Sequence, residues 1–344
     1  MGSSRLLRAV TSLAFAICLS PLTTATAVRQ DAPVPPAFAE WLAALRAEAL
    51  RRGISQSTVD LALADLAPDP TVIARDRMQP ELTQSLDTYV VDRLSPKTLA
   101  TAQTMLERHQ VLLEQIRQAY GIPAPVMIAI WGIESNFGQV TGTRPTITAL
   151  ATLAFDSRRP ALFRAELFNA LTILDRGLVT LNDLKGSWAG AMGQPQFMPS
   201  SYLKYAVDFD HDGRADIWTS EADVFGSMAN YLKTAGWTEG QRWGREVIVS
   251  PEAMARIDKT VPLRGSGCRA LREMTVARPL KEWKRLGVKL IGANLPATAD
   301  LASLVRGQLR RFLVYRNYRA FIDYNCSNAY AVSVGLLSDR IDVK

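Results

Sequence analysis

The stretch Val126–Gly138, VMIAIWGIESNFG, is apolar on nearly every side and long enough for about three and a half helical turns. A helix with no polar face belongs inside a protein, so much of the chain must be arranged to cover this one. One carboxylate, Glu134, interrupts it. Removing an unpaired acid from water disfavours its charged form and raises its pKa, which makes Glu134 a candidate proton donor. The plainer alternatives are an interior arginine partner or simple exposure at the helix end. Gly132 permits a close approach, and Gly138 marks the expected end of the helix.

The first residues have a different character. Arg5 and Arg8 precede the apolar run Ala9–Leu19, then come Pro21 and Ala25-Thr26-Ala27. This order reads as a cleavable signal peptide over 1–27 that exports the chain to the periplasm. The run is too short for a good membrane span, and Ile17 is bulkier than the small residue that lipid-modification sites prefer before a cysteine such as Cys18. Two cysteines then remain, Cys268 and Cys326. In an oxidising compartment they can pair, or they can be two buried thiols.

The net charge of +7 loses the two leader arginines, leaving +5. Its dispersed pairs, such as Arg51-Arg52 and Arg310-Arg311, lack the long basic and aromatic tracts of a nucleic-acid channel. No nucleic-acid partner is expected, whereas an anionic polymer fits the balance of charge.

Along the chain, residues 28–35 read as a flexible N-terminus and 36–122 as a helical region. Helices are predicted over 37–52 and 57–66, the latter stopped by Pro68 and Pro70. One long helix is predicted from Ser95 to Gly121. A core segment over 123–245 continues with helices over 126–136, 144–153, 160–176 and 224–235. The final segment, 246–344, is mixed: strands at 246–249 and 311–315, helices at 280–286 and 327–340. The expected fold is mainly α, in an α+β arrangement with a small β-containing region.

Two loops carry candidate chemistry. In Gly186–Ser201, GSWAGAMGQPQFMPSS, the polar groups of Ser187, Gln194, Gln196 and Ser200 can exchange hydrogen bonds with hydroxyl and acetamido groups. Trp188 and Phe197 can pack on sugar faces, and Gly190 and Gly193 let backbone approach a ligand or the helix of Glu134. A self-satisfied packing loop is the alternative. In DFDHDGRADIW, Asp208, Asp210, Asp212, Gly213 and the carbonyl of Arg214 match the start of an EF-hand calcium loop. Thr219 stands where that loop supplies its bidentate acid, so Glu221 or Asp223 must close it. Calcium there would fasten structure rather than perform chemistry.

Other classes lack their parts. His109 and His211 are the only histidines, which disfavours a zinc site, and no nucleophile elbow or dinucleotide fingerprint occurs.

Taken together, ESNFG at Glu134–Gly138, GSWAGAMGQPQFMPSSY, the DFDHDGRADIW loop, GSMANY at Gly226–Tyr231 and YNCSNAYAVSVGLLSDRI from Tyr324 closely resemble the lytic murein transglycosylase B family. The resemblance spans most of the chain beyond the leader. It implies a lysozyme-like α-rich catalytic core, with an added helical region and the C-terminal region completing the cleft. It also implies Glu134 as sole catalytic acid/base, with Ser187, Gln196, Tyr231, Tyr324, Asn325 and Tyr330 along a glycan cleft. Tyr89, Arg158 and Arg159 are weaker carry-overs. The implied metal is structural Ca2+ held by Asp208, Asp210, Asp212, the Arg214 carbonyl and Asp223, with no organic cofactor. The implied partner is the peptidoglycan strand, and a monomer is expected, alone or beside cell-wall synthesis or remodelling proteins.

A lone acid is chemically sufficient if the substrate supplies the nucleophile. An ordinary glycosidase needs a second carboxylate as nucleophile or base. Asp156, Glu166 and Asp175 are available, but each has a plain surface-helix or loop reading. Hydrolysis with the same acid, or glycan binding without turnover, are the competing readings. Endo or exo action and glycan length stay open.

Overall fold

The computed structural model describes residues 36–78, 84–291, 298 and 300–341. The leader expected over 1–27 and the N-terminal segment over 28–35 lie outside the described residues.

Helices α1 (Pro36–Arg51) and α2 (Gln56–Leu63) form as predicted. Ser55 caps α2, its Oγ accepting from the Thr58 amide at 3.3 Å. Pro70 does more than stop a helix: it opens α3 (Pro70–Arg77), where Asp69 accepts from the Thr71 amide at 2.8 Å. Helix α4 (Leu86–Arg93) was also missed by periodicity, although Ser85 caps it in the usual way.

The single helix expected from Ser95 to Gly121 is two. Helices α5 (Pro96–Arg108) and α6 (Gln110–Tyr120) meet at His109, whose φ of −101° and ψ of 14° break the helical path. The two halves follow different neighbours: α5 packs on α7 (Ala124–Ser135), whereas α6 packs on α7 and more extensively on the helix over 221–234. His109 itself is buried, edge-on to Trp131 and Phe225, with Nδ1 3.3 Å from a Glu221 oxygen.

Next come β1 (Arg144–Pro145), α8 (Thr146–Phe155) and α9 (Pro160–Asp175). Helix α8 starts two residues later than predicted because Arg144 and Pro145 pair antiparallel with β2 (Lys185–Gly186). Helices α10 (Pro199–Tyr205) and α11 (Glu221–Thr234) then bracket the acidic loop.

The mixed region begins with β3 (Gly244–Ile248), α12 (Pro251–Thr260) and α13 (Arg269–Arg272). It continues through β4 (Arg278–Pro279), α14 (Leu280–Arg285), β5 (Lys289–Leu290), β6 (Leu301–Arg306) and β7 (Arg311–Val314). The five strands form one antiparallel sheet in the order β4-β6-β7-β3-β5. The turn between β6 and β7 is held from outside: the amides of Gln308, Leu309 and Arg310 all donate to the Asp87 carboxylate of α4. The chain closes with α15 (Tyr318–Tyr324) and α16 (Asn328–Ile341).

Buried residues fall into three cores that cut across sequence order. One joins α7 with α5, α6, α11, α15 and α16; a second joins α1, α2, α3, α8 and α9; a third lies under the sheet around Trp283 and Ile257. Tyr324 packs against both of the first two. The cysteine question resolves as a bond: Cys268 and Cys326 form a disulfide with a Cα–Cα separation of 6.3 Å. Among the described residues, no helix is long and apolar enough to cross a membrane.

Candidate active site

Helix α7 ends in a left-handed turn. Asn136, Phe137 and Gly138 have φ values of 49°, 58° and 77°, which reverse the chain so that the Phe137 ring folds over Gly132. A Cβ on Gly132 would lie 2.7 Å from that ring, so the close approach it permits is to its own helix end. Gly138 leaves room for Gln194, whose Oε1 would stand 2.5 Å from a Cβ there. That Oε1 accepts from Trp131 Nε1 at 2.7 Å, while Gln194 Nε2 donates to the Trp218 carbonyl at 2.9 Å. Gln194 is therefore spent on packing and is unavailable to a sugar.

Glu134 lies on the last turn of α7 and is half-buried, between buried Ile133 and buried Ser135. Glu134 is thus neither a fully interior acid nor an exposed one, but sits at the helix edge between the two. Tyr324 and Tyr330 lie beside it, their rings stacked with centroids 6.4 Å apart. Both phenols have pKa values pushed well above the ordinary tyrosine value, first by burial and next by the negative charge of Glu134. The Tyr330 hydroxyl makes no well-formed hydrogen bond among the described residues, yet Glu134 acts on it as an acceptor.

The other tyrosines extend this wall. Tyr324 Oη donates to the Pro195 carbonyl at 2.8 Å, and Tyr231 Oη donates to the Asp323 carbonyl at 2.6 Å. Their rings meet at 4.7 Å. Burial is the first cause that raises the Tyr231 pKa, followed by Tyr205 and Asp323. Tyr89 neighbours Tyr330 electrostatically, is buried, and carries the Arg93 guanidinium 5.1 Å above its ring. Glu134, Tyr89, Tyr231, Tyr324 and Tyr330 are therefore brought together. Asn325 follows Tyr324 directly and is exposed.

The Gly186–Ser201 loop is held from within. Ser187 Oγ accepts from the amides of Ala189 and Ala191 at 3.3 and 3.2 Å. Gln196 has a φ of 52°, and its Nε2 donates to the carbonyls of Thr141 and Gly193 at 3.0 and 2.8 Å. A left-handed glutamine pinned by two bonds is a strained position of the kind found at functional sites. Phe197, expected on a sugar face, is instead buried against Tyr231 and Tyr324. Gly190 and Gly193 approach Leu150 and Ile217 rather than the helix of Glu134. Arg158 and Arg159 contact Asp76 and Phe163, not the tyrosine cluster.

The three further acids have other employment. Asp156 accepts from the Arg158 amide at 3.0 Å, and Asp175 from the Ser55 amide at 3.0 Å. Buried Glu166 accepts from the Ser200 amide and hydroxyl at 2.8 and 2.6 Å, fixing the start of α10.

In the acidic loop, Asp208, Asp210 and Asp212 each offer a carboxylate oxygen within 4.8 Å of the others. Such hard oxygen donors suit Ca2+. Asp223, fully buried, accepts from the amides of Phe209 and Asp216 at 2.7 and 2.8 Å and so closes the loop onto α11. Burial is the first cause that raises its pKa. Glu221, the other candidate for closure, points to His109. Arg214 is exposed, with its guanidinium 4.0 Å from Asp212.

A helical core carrying one accessible carboxylate among tyrosines defines a class, and the comparisons agree with it. The profile of the transglycosylase SLT domain matches residues 37–339. Membrane-bound lytic murein transglycosylase B of Escherichia coli K12 is 39% identical over 150 residues, covering 43% of this chain and 41% of that protein. The chain thus aligns with less than half the length of that relative. SltB3 of Pseudomonas aeruginosa, solved in complex with NAG-NAM-pentapeptide, is 40% identical across 89% of this chain and 80% of its own, with a TM-score of 0.78. The Escherichia coli lytic transglycosylase Slt35, solved in complex with calcium, is 26% identical across 89% of this chain and 92% of its own, with a TM-score of 0.71. The fold is that of the lysozyme-like lytic transglycosylases. The chain belongs to the lytic murein transglycosylase B family.

Proposed function

We propose that the protein is an exported lytic transglycosylase that cleaves the β-1,4 bond between N-acetylmuramic acid and N-acetylglucosamine in peptidoglycan. The observation that carries this reading is the isolation of Glu134: a half-buried acid beside Tyr324 and Tyr330, while Asp156, Glu166 and Asp175 are engaged elsewhere. With these three carboxylates engaged elsewhere, a hydroxyl of the substrate itself is the nucleophile in this reading.

Glu134 gives its proton to the glycosidic oxygen as the C1–O bond breaks, and N-acetylglucosamine departs with that proton. The carboxylate left behind takes the proton of the muramoyl C6 hydroxyl as O6 bonds to C1. The product is a 1,6-anhydromuramoyl end, and Glu134 is again protonated. The acetamido group stabilises the positive charge at C1, and the tyrosines, with Ser187, Gln196 and Asn325, hold the sugars so that O6 lies in line. Arg158 and Arg159 have the least support as glycan contacts, since Asp76 holds both. A complex of SltB3 with NAG-anhNAM-pentapeptide is consistent with anhydro chemistry in this family.

Asp208, Asp210, Asp212, the Arg214 carbonyl and Asp223 would hold Ca2+, whose contribution is to fasten the loop ahead of α11. The leader pattern over 1–27 supports delivery to the periplasm.

Mass analysis of digested peptidoglycan tests the function. Wild-type protein should yield ends one water lighter than reducing ends, and Glu134→Gln should bind glycan but release nothing. Reducing ends alone would identify a hydrolase, and undiminished release by the variant would remove Glu134 from the chemistry.

A further inference from the structure

A second concavity lies behind α15, a cavity of about 790 Å3 whose lining shares no residue with the Glu134 site. Five arginines line it, Arg242, Arg245, Arg264, Arg316 and Arg319, against one lining carboxylate, Asp300. Among the described residues, only Arg319 of the five has a carboxylate partner, Asp323 at 2.7 Å. The neighbouring residues 292–297 and 299 contain no acid in sequence.

These guanidiniums are poorly compensated. Arg245 Nε is buried with no hydrogen-bond partner, and Arg264 reaches only neutral acceptors, the Thr275 carbonyl at 3.4 Å and Ser303 Oγ at 3.1 Å. Burial and then the charge of Arg319 push the Arg264 pKa down, the mark of like charges held together. Arg245 and Arg264 are half-buried and the other three exposed, so water screens part of this charge, and an anion bound between the arginines would offset the rest. Arginine suits carboxylates because its planar fork donates two parallel hydrogen bonds.

The remaining wall is apolar, with Leu271, Met274, Leu280 and Ile322. An open concavity that joins cations to an aliphatic floor matches a short peptide bearing carboxylates and small side chains, rather than a polyanion lying along a basic stripe. Helix α15 backs both sites: Arg319 and Ile322 face the cavity, and Tyr324, about 200° further round the helix, faces Glu134.

We propose that this cavity binds the carboxylate-bearing stem peptide of peptidoglycan. The choice of that peptide rests on the glycan-cleaving function proposed above.

Calorimetry on the exported chain, in phosphate-free buffer, provides the test. The probes are the stem pentapeptide freed of its sugars and the same peptide with its carboxylates amidated. Wild type and Glu134→Gln should bind the free peptide equally. Arg245→Gln with Arg264→Gln should weaken it by about tenfold or more, and amidation should do the same. Arg245→Lys, which keeps charge but loses the fork, should fall between and guards against misfolding as the explanation. Peptide-free glycan should be cut at the wild-type rate by the arginine variants. Binding that survives the double substitution or amidation would overturn the proposal, as would binding of inorganic phosphate but not peptide. Arginine-dependent peptide binding by a protein that cuts no glycan would instead overturn the function and leave the cavity assignment standing.

Discussion

Trp131 Nε1 donates to Gln194 Oε1 at 2.7 Å, joining the helix that carries Glu134 to the loop that carries Ser187 and Gln196. Because Gln194 also reaches Trp218, the same side chain connects α7 to the end of the acidic loop. Gln194→Ala would strand a buried indole N–H and a carbonyl at a cost of about 2 kcal/mol. The expected outcome is a lower Tm and a fall in kcat larger than any rise in KM, read by thermal melting and muropeptide release. An unchanged Tm would show that the bond carries no load.

The tyrosine wall makes the fold sensitive to alkali. Tyr231, Tyr324 and Tyr330 have folded-state pKa values raised above the unfolded value of about 10. Their contribution is therefore complete below about pH 10 and is lost as pH rises through the folded values. Tyrosinate absorbance should lag behind that of free tyrosine until alkaline unfolding. Glu134→Gln removes one of the charges that hold Tyr324 and Tyr330 up, so their ionisation should begin at lower pH in the variant. Identical titration curves would deny the coupling.

Calcium at Asp208, Asp210 and Asp212 should raise stability by mass action, by about 2.7 kcal/mol at a hundredfold excess over Kd. Chelator should lower the Tm of the purified protein, and Asp208→Asn with Asp210→Asn should abolish that response. Metal analysis should find calcium only in the wild type.

The disulfide closes a 58-residue separation and, by chain entropy, is worth about 4 kcal/mol. Cys326 follows Asn325 and Tyr324, so its loss should also loosen the cleft wall. Cys268→Ala with Cys326→Ala should reduce the free energy of denaturant unfolding by roughly that amount and raise KM for glycan strands.

Asp76 is 3% exposed and pairs with Arg158 and Arg159 across from α3. Asp76→Ala would take the carboxylate from both guanidiniums, leaving Arg158 only its bond to the residue 76 carbonyl, at a cost of about 2 kcal/mol given their partial exposure. Thermal melting should register this loss.

What was legible in sequence follows from how local each signal is. Helix α7 could be read from its unbroken apolar run, and α2 and α11 from periodicity, because those patterns reside within one segment. The start of α8 could not, since it is decided by strand pairing with residues forty positions on. The bend at His109 was equally hidden: each half has a sound helical stripe, and the neighbours that differ between the halves lie elsewhere in the chain. Strand β6 was missed because a short apolar run such as LASLVR fits a buried helix as well as a strand.

The site shows the same division. Glu134 announced itself as a charge in an apolar run, but its tyrosine neighbours lie 45 to 196 positions away and came only through family resemblance. Gln194 and Phe197 were misread because an amide or an aromatic ring in a loop looks the same in sequence whether it faces a ligand or a tryptophan. The five cavity arginines, spread from 242 to 319, form no motif at all.

The element against which α7 packs most extensively is α16, the last helix of the chain. Synthesis from the N-terminus therefore delivers residues 124–135 long before the surface that buries them. A chain cut short before residue 328 would expose the apolar faces of α7 and lack Tyr330 beside Glu134. Translation products that lack α16 should therefore be targets for proteolysis.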